Sequence, residues 1–297
     1  MEGFMTTVSL GGSAPASFGR FRNAIEVFDI IPGTRQLTIP NGWSRIRVAV
    51  VGGGAGGRNV SSAARGHGGG GGGGGYAEIE LDVVPGQTYT YTVGAGGDLN
   101  QDGSTTSFGA LLSATGGKTA TDNTTSASKG GAGGVGIGGT ITKAGGAGGN
   151  GFDGSNGGGG GGGASGSRYG VGGAGGNGEA YLSNGTLGGV GGSWEGYPRP
   201  LLYDDGWGLG ITPHDLPLDA DLTLAALPAS YYLSVYSRVG QGTSNSAHQA
   251  NLGGGSCANR GNTSSVQRGG IGGGGGGGYS TYTGRGGPGA VIVEVLG

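Results

Sequence analysis

Cysteine is nearly missing from this sequence. Cys257 stands alone among 297 residues, so an intrachain disulfide and a multi-cysteine zinc site are both excluded. Charge is also scarce: Asp, Glu, Lys and Arg make up 11% of the chain, with a net charge of −2. A nucleic-acid partner would need a basic face to neutralise phosphates, and none can be assembled from that balance. No apolar run approaches the ~20 residues of a membrane span. The opening Met1-Glu2-Gly3-Phe4 lacks the basic and apolar regions of a signal peptide, so synthesis in a cytoplasm is expected. Catalytic signatures are missing too. There is no G-x-S-x-G elbow and no H-E-x-x-H, and His67, His214 and His248 read as solvated loop residues. The chain is not expected to be an enzyme.

What fills the sequence instead is glycine, 84 residues of it beside 10 prolines, against an average usage of about 7%. Residues 68–75 are all glycine, and 157–163 and 272–278 repeat the pattern. Glycine has no side chain to bury and loses the most backbone entropy on ordering, so these runs cannot build an ordinary core. They are either linkers or a lattice of extended, threefold polyglycine-II helices that pack closely because the side chains are hydrogen. The runs are nearly pure glycine and are punctuated by apolar residues, whereas linkers favour Gly/Ser mixtures; this favours the lattice. Collagen is excluded, since no strict G-X-Y period exists. Buried amides and carbonyls are nearly always paired, so each run is expected to find its partners in neighbouring runs. The heptapeptide at 145–151, Gly-Gly-Ala-Gly-Gly-Asn-Gly, recurs letter for letter at 172–178, as repeated structural units do.

The expected fold class is mainly β and irregular: a small antiparallel β unit, a packed array of polyglycine-II helices and a loop-rich aromatic insert. Residues 1–24 read as an N-terminal attachment peptide in which Phe4, Phe18 and Phe21 could pack on a partner. Residues 25–93 read as the β unit. Within it, Glu78, Glu80 and Asp82 alternate with Ala77, Ile79, Leu81 and Val83, the pattern of a strand with one polar face. Residues 94–195 read as the glycine array. Residues 196–252 break from it, being rich in aromatic and acidic side chains, and read as loops carried by a stiff base, where binding residues concentrate. Residues 253–297 supply a last glycine run and a closing strand, expected to pair with 45–51 or 76–83.

Some motifs resemble chemistry without its context. Gly52-x-Gly54-x-x-Gly57 follows a strand, but more glycine follows it rather than the helix a dinucleotide site requires. Gly117-Lys118-Thr119 lacks the first P-loop glycine, since position 112 is Leu112. Asp98, Asn100 and Asp102 match the front of a calcium loop, but position 109 is Gly109 where the closing glutamate belongs; a polar hairpin loop is the stronger reading, with calcium as the only cofactor in view. In the insert, Tyr197, Tyr203, Trp207, Tyr231, Tyr232 and Tyr236, with Asp204 and Asp205, form a candidate sugar-reading set of stacking rings and hydroxyl acceptors; equally, the rings could be the insert's own core.

The order of these pieces resembles a known family. Phe28, Pro32-Gly33-Thr34, Trp43, the strand from Arg45 into Gly52-Gly53-Gly54, the octaglycine with Tyr76, Pro85-Gly86-Gln87-Thr88, Val93-Gly94-Ala95-Gly96-Gly97 and the terminal Gly287-Pro288-Gly289-Ala290-Val291 follow one another as in the glycine-rich domain of bacteriophage tail fibre and receptor-binding adhesin proteins. The resemblance spans roughly 25–195 and 269–297. It implies a polyglycine-II sandwich in a virion tail, present in several copies or as a homo-oligomer. It also implies other tail proteins and a host-surface receptor as partners, with distal loops making the receptor contact. A structural virion protein without receptor binding is the alternative and a polysaccharide depolymerase a remote one. Ice binding would need a flat, regular Thr/Ala face, and no such row is visible in the sequence.

Overall fold

The computed structural model describes residues 24–60, 67–121, 128–153, 158–168, 170–178, 268–279 and 283–296. They form mainly antiparallel β-sheets, with no helix among the described residues. One sheet runs in the order β1 (Ala24–Asp29), β12 (Ala290–Val295), β3 (Arg45–Val51), β5 (Tyr76–Asp82), β10 (Ile141–Lys143). The other runs β2 (Gly33–Thr38), β6 (Thr88–Val93), β7 (Thr106–Phe108), β8 (Leu112–Ala114), β9 (Gly136–Ile137). The closing strand β12 pairs with β3, as expected, and also with β1.

Alternation along the strands puts one apolar face of each sheet against the other. Ile46, Val48, Val50, Ala77, Val291 and Val293 of the first sheet meet Tyr91, Val93, Phe108, Leu112 and Ala114 of the second, and Tyr89 stacks on Phe108 with ring centroids 5.1 Å apart. The antiparallel β unit expected here is built as two sheets packed face to face. β5 and β6 are successive in sequence but belong to different sheets, and the Pro85-Gly86 turn, with Gly86 at φ 84°, carries the chain across. Both strands have an apolar set to bury, and stacking face to face buries both.

The outward face of the first sheet carries a charged ladder. Arg47 lies opposite Glu80 on one side and Glu294 on the other. Its guanidinium reaches Glu294 Oε2 at 2.6 Å and Glu80 Oε1 at 2.8 Å. Burial opposes the charge on Arg47, but hydrogen bonds and attraction from these carboxylates prevail and its pKa is raised. Tyr76 donates its hydroxyl to the buried Glu78 at 2.5 Å, and Arg168 approaches the same carboxylate at 3.5 Å. Next to this ladder Ala49, Val51, Tyr76, Ala290 and Ile292 form a second small core, with Ile271 packed against it.

The glycine runs are bonded to one another with a period of three. In segment 67–75 the amides of His67, Gly70 and Gly73 donate to Phe152, Gly149 and Gly146. Those of Gly68, Gly71 and Gly74 donate to Gly278, Gly275 and Gly272, and those of Gly72 and Gly75 to Lys118 and Thr115. The carbonyls follow the same rule toward three other segments. His67, Gly70 and Gly73 accept from Ser128, Gly131 and Gly134; Gly68, Gly71 and Gly74 from Gly160, Gly163 and Gly166; and Gly69, Gly72 and Gly75 from Arg58, Ala55 and Gly52. These six segments are bonded to one another in turn around the central run, through pairs such as Lys118 to Ala132, Gly145 to Gly134, Gly146 to Ala164, Gly274 to Gly163, Gly275 to Ala55 and Gly117 to Gly53. The octaglycine is thus the axis of a hexagonal arrangement. Its spacing excludes side chains: a Cβ at Gly73 would fall on the Ala164 carbonyl, one at Gly70 on that of Gly161 and one at Gly72 on that of Ala132.

Lattice and sheets alternate along the chain rather than occupying separate stretches. Segments 52–58 and 67–75 of the lattice lie between strands of the sandwich in sequence, and β7, β8, β9 and β10 fall between lattice segments of the stretch 94–178.

Candidate functional site

The lattice has two different ends. At one, segments continue directly into strands: Val51 leads into Gly52, Gly75 into β5, Val93 into Gly94, Ala114 into Thr115 and Gly289 into β12. The other end is marked by Arg58, His67, Ser128, Phe152, Gly158 and Gly278, joined through bonds such as His67 N to Phe152 O and Ser128 N to His67 O. Here β4 (Asn59–Val60) pairs in parallel with β11 (Gly278–Tyr279). Residues 60 and 67, 121 and 128, and 153 and 158 all lie at this end. Residue 178 also ends a segment here, with Gly178 bonded to Asn150, and Arg268 re-enters parallel to Arg285, running away from this pole. Ala24 pairs with Val295, at the far end of the sheet. The two outermost described residues of the sandwich, 24 and 296, therefore sit at the opposite pole.

Asparagine side chains extend the lattice where an outer segment has no further neighbour. Gly130 donates its amide to Asn150 Oδ1 at 2.9 Å, and Asn150 donates its own to Asn177 Oδ1 at 2.8 Å. These are the asparagines of the two identical heptapeptides, so the repeat encodes a side-chain carbonyl that replaces a backbone one at the lattice rim. Sequence reasoning found the repeat and missed this role.

Asp98, Asn100 and Asp102 lie against segment 52–58, across the axis from these asparagines, each with a protein partner. Arg285 Nε is 3.1 Å from Asp98 Oδ1. Asn100, at φ 60°, accepts the Asn59 amide at 2.7 Å. Asp102 accepts Lys118 Nζ at 2.9 Å and the Thr119 amide at 2.8 Å. Burial pushes the Asp102 carboxyl up, but these two bonds outweigh it and hold the group below its ordinary value. A calcium ion would have to draw Asp98 and Asp102 away from two cationic side chains. Among the described residues no cluster of three or more His, Cys, Asp or Glu could hold a metal ion, and no helix is long and apolar enough to cross a membrane.

His67 departs from the solvated role expected of it. It is 9% exposed, and burial lowers the pKa of its imidazole. The candidate receptor-binding residues Tyr197, Tyr203, Asp204, Asp205, Trp207, Tyr231, Tyr232 and Tyr236 lie outside the described residues, as do Phe4, Phe18 and Phe21.

A model of the glycine-rich domain family matches residues 30–296. The chain belongs to that family. No curated protein matches it. In this glycine-rich domain the matched span takes in the sandwich, the lattice and the segment between residues 178 and 268 together. The family describes the scaffold and assigns it neither a virion nor a receptor.

Proposed function

We propose that this glycine-rich domain is a non-enzymatic, receptor-binding component of a phage tail fibre or tail tip, in which a polyglycine-II lattice presents loops to a host-surface glycan or outer-membrane component. The observation that carries the reading is the polarity of the molecule. Residues 24 and 296 lie at one pole, and residues 60, 67, 121, 128, 153, 158 and 178 lie at the other. The two poles are separated by the sandwich and by segments of up to nine residues, about 28 Å at the ~3.1 Å rise of a threefold extended helix, which suits attachment at one and presentation at the other. The threefold bonding period and the hexagonal ring support the polyglycine-II assignment.

The mechanism is non-covalent. Loops held by a scaffold whose backbone groups are bonded on all sides lose little conformational freedom on docking, and several copies on one particle add avidity. Residues 196–252 would read the receptor through their tyrosines, Trp207 and the Asp204–Asp205 pair, while residues 1–24 would attach the chain to other tail proteins.

The test is binding of the full chain to host cells, compared with a deletion of 197–252 closed by a short glycine link and shown to retain the parent circular dichroism. Binding by the full chain that the deletion loses is the expected result. No binding by either protein would favour a structural virion role. Release of new reducing ends from host polysaccharide would replace the adhesin with a depolymerase.

A further inference from the structure

One flank of the lattice combines regularity with exposed apolar surface. Segment 144–151 lies antiparallel to 128–135, through bonds such as Gly148 to Gly131, and parallel to 172–178, through Gly175 to Ala147. These bonds set three levels. Ala132, Ala147 and Ala174 share the middle one and all are exposed. Toward the sandwich the same phase of the three-residue period gives Val135, Ala144 and Val171; toward the His67 end it gives Lys129, Asn150 and Asn177. The result is a planar grid of a kind the sequence alone did not reveal. Large apolar side chains gather on the same flank. Of the six exposed ones among the described residues, Val135 (48%), Val171 (42%), Ile137 (51%) and Leu111 (41%) lie here, because β9 follows directly from Val135 and the turn at Gly138 sits against Leu111. Single exposed hydrophobes are ordinary, whereas contiguous ones mark interaction surfaces.

We propose that this flank is a self-association surface that pairs two copies of the chain side by side and in parallel. The grid carries one charge, Lys129, so it offers no complement to a charged partner. It is, however, complementary to itself. A twofold axis along segment 144–151 places Ala147 on Ala147 and Val135 on Val171 of the second copy. It also sets Lys129 against Asn177, so like charges do not meet. A twofold interface uses the same patch on both copies, and an axis along the segments directs the His67 ends of both copies the same way and their Ala24 ends the other.

The test is sedimentation of the full chain over a wide concentration range, wild type against Ala147→Glu. The Ala147 side chain already points outward, so the variant should keep the parent melting curve, which is measured alongside. The wild type should show a monomer–dimer equilibrium, and Ala147→Glu, which sets two carboxylates against each other, should weaken it at least about tenfold. In a Cys257→Ser background, Ala147→Cys should cross-link to itself under mild oxidation, while Val84→Cys, exposed on the sandwich, should not. A wild type that stays monomeric throughout, or a dimer that Ala147→Glu leaves unchanged, would overturn the proposal; the first result would assign the flank to a different protein.

Discussion

The sandwich and the lattice are two solutions to one problem, the burial of backbone. In the sandwich, side chains do most of the work: Phe108, Val48 and Val293 exclude water from an interior whose amides are paired along strands. In the lattice the backbone is itself the interior. Gly73 donates to one segment and accepts from another, and its α-carbon faces a third. The sandwich tolerates exchange among apolar side chains of similar volume, while the lattice tolerates almost nothing larger than hydrogen. The two are joined covalently at one end of the lattice, as at Val51–Gly52, Gly75–Tyr76 and Gly289–Ala290, so the stiffness of one registers the other.

The largest expected effect breaks the lattice at its axis. Gly73→Ala puts a Cβ onto the backbone of Ala164, where no side chain can move aside, and we expect loss of the folded state by circular dichroism and proteolysis. Phe108→Ala, the matching insult to the sandwich, should leave a folded protein destabilised by about 3–5 kcal/mol in denaturant unfolding. Gly86→Ala sharpens the contrast. There a Cβ meets nothing within 4 Å, and only the positive φ of 84° is strained, so the cost should be about 1–2 kcal/mol. One glycine is required for space, the other for backbone conformation.

The two regions should also fail at opposite ends of the pH scale. In the sandwich, burial and the hydrogen bond to Asp29 push the Tyr91 phenol up to about 12 from 10.0. Its contribution is complete below pH 10 and is lost as pH rises through 12. In the lattice, burial lowers the His67 imidazole from 6.5. Its contribution is complete above that value and is lost as pH falls below it. Melting temperatures across pH should show Tyr91→Phe flattening the alkaline limb and His67→Gln flattening the acid limb, each leaving the other unchanged.

Much of the scaffold is legible in the sequence. The strands around Val48, Ile79, Tyr91 and Val293 announce themselves by alternation, and the near-pure glycine of 68–75 demands close backbone neighbours. What is not legible depends on long-range pairing. Nothing local says that β5 and β6 part at Gly86, because either sheet would bury their apolar faces. Nothing local makes His67 a buried residue; its backbone is held between Phe152 and Ser128, which are distant in sequence. The calcium-like spacing at Asp98, Asn100 and Asp102 gives no hint of Arg285 and Lys118. The flat flank is hidden for the same reason: Ala132, Ala147 and Ala174 come from three segments, and only their register makes them a row.

Amide hydrogen exchange tests the central claim most directly, namely that the octaglycine is the bonded axis of a rigid lattice. Measured residue by residue or on short peptides, residues 70–75 should exchange as slowly as Val48 and Val50 of β3, because each of their amides donates to a neighbouring segment. Exchange at the rate of an open chain, with β3 still protected, would make the run a linker and contradict the account.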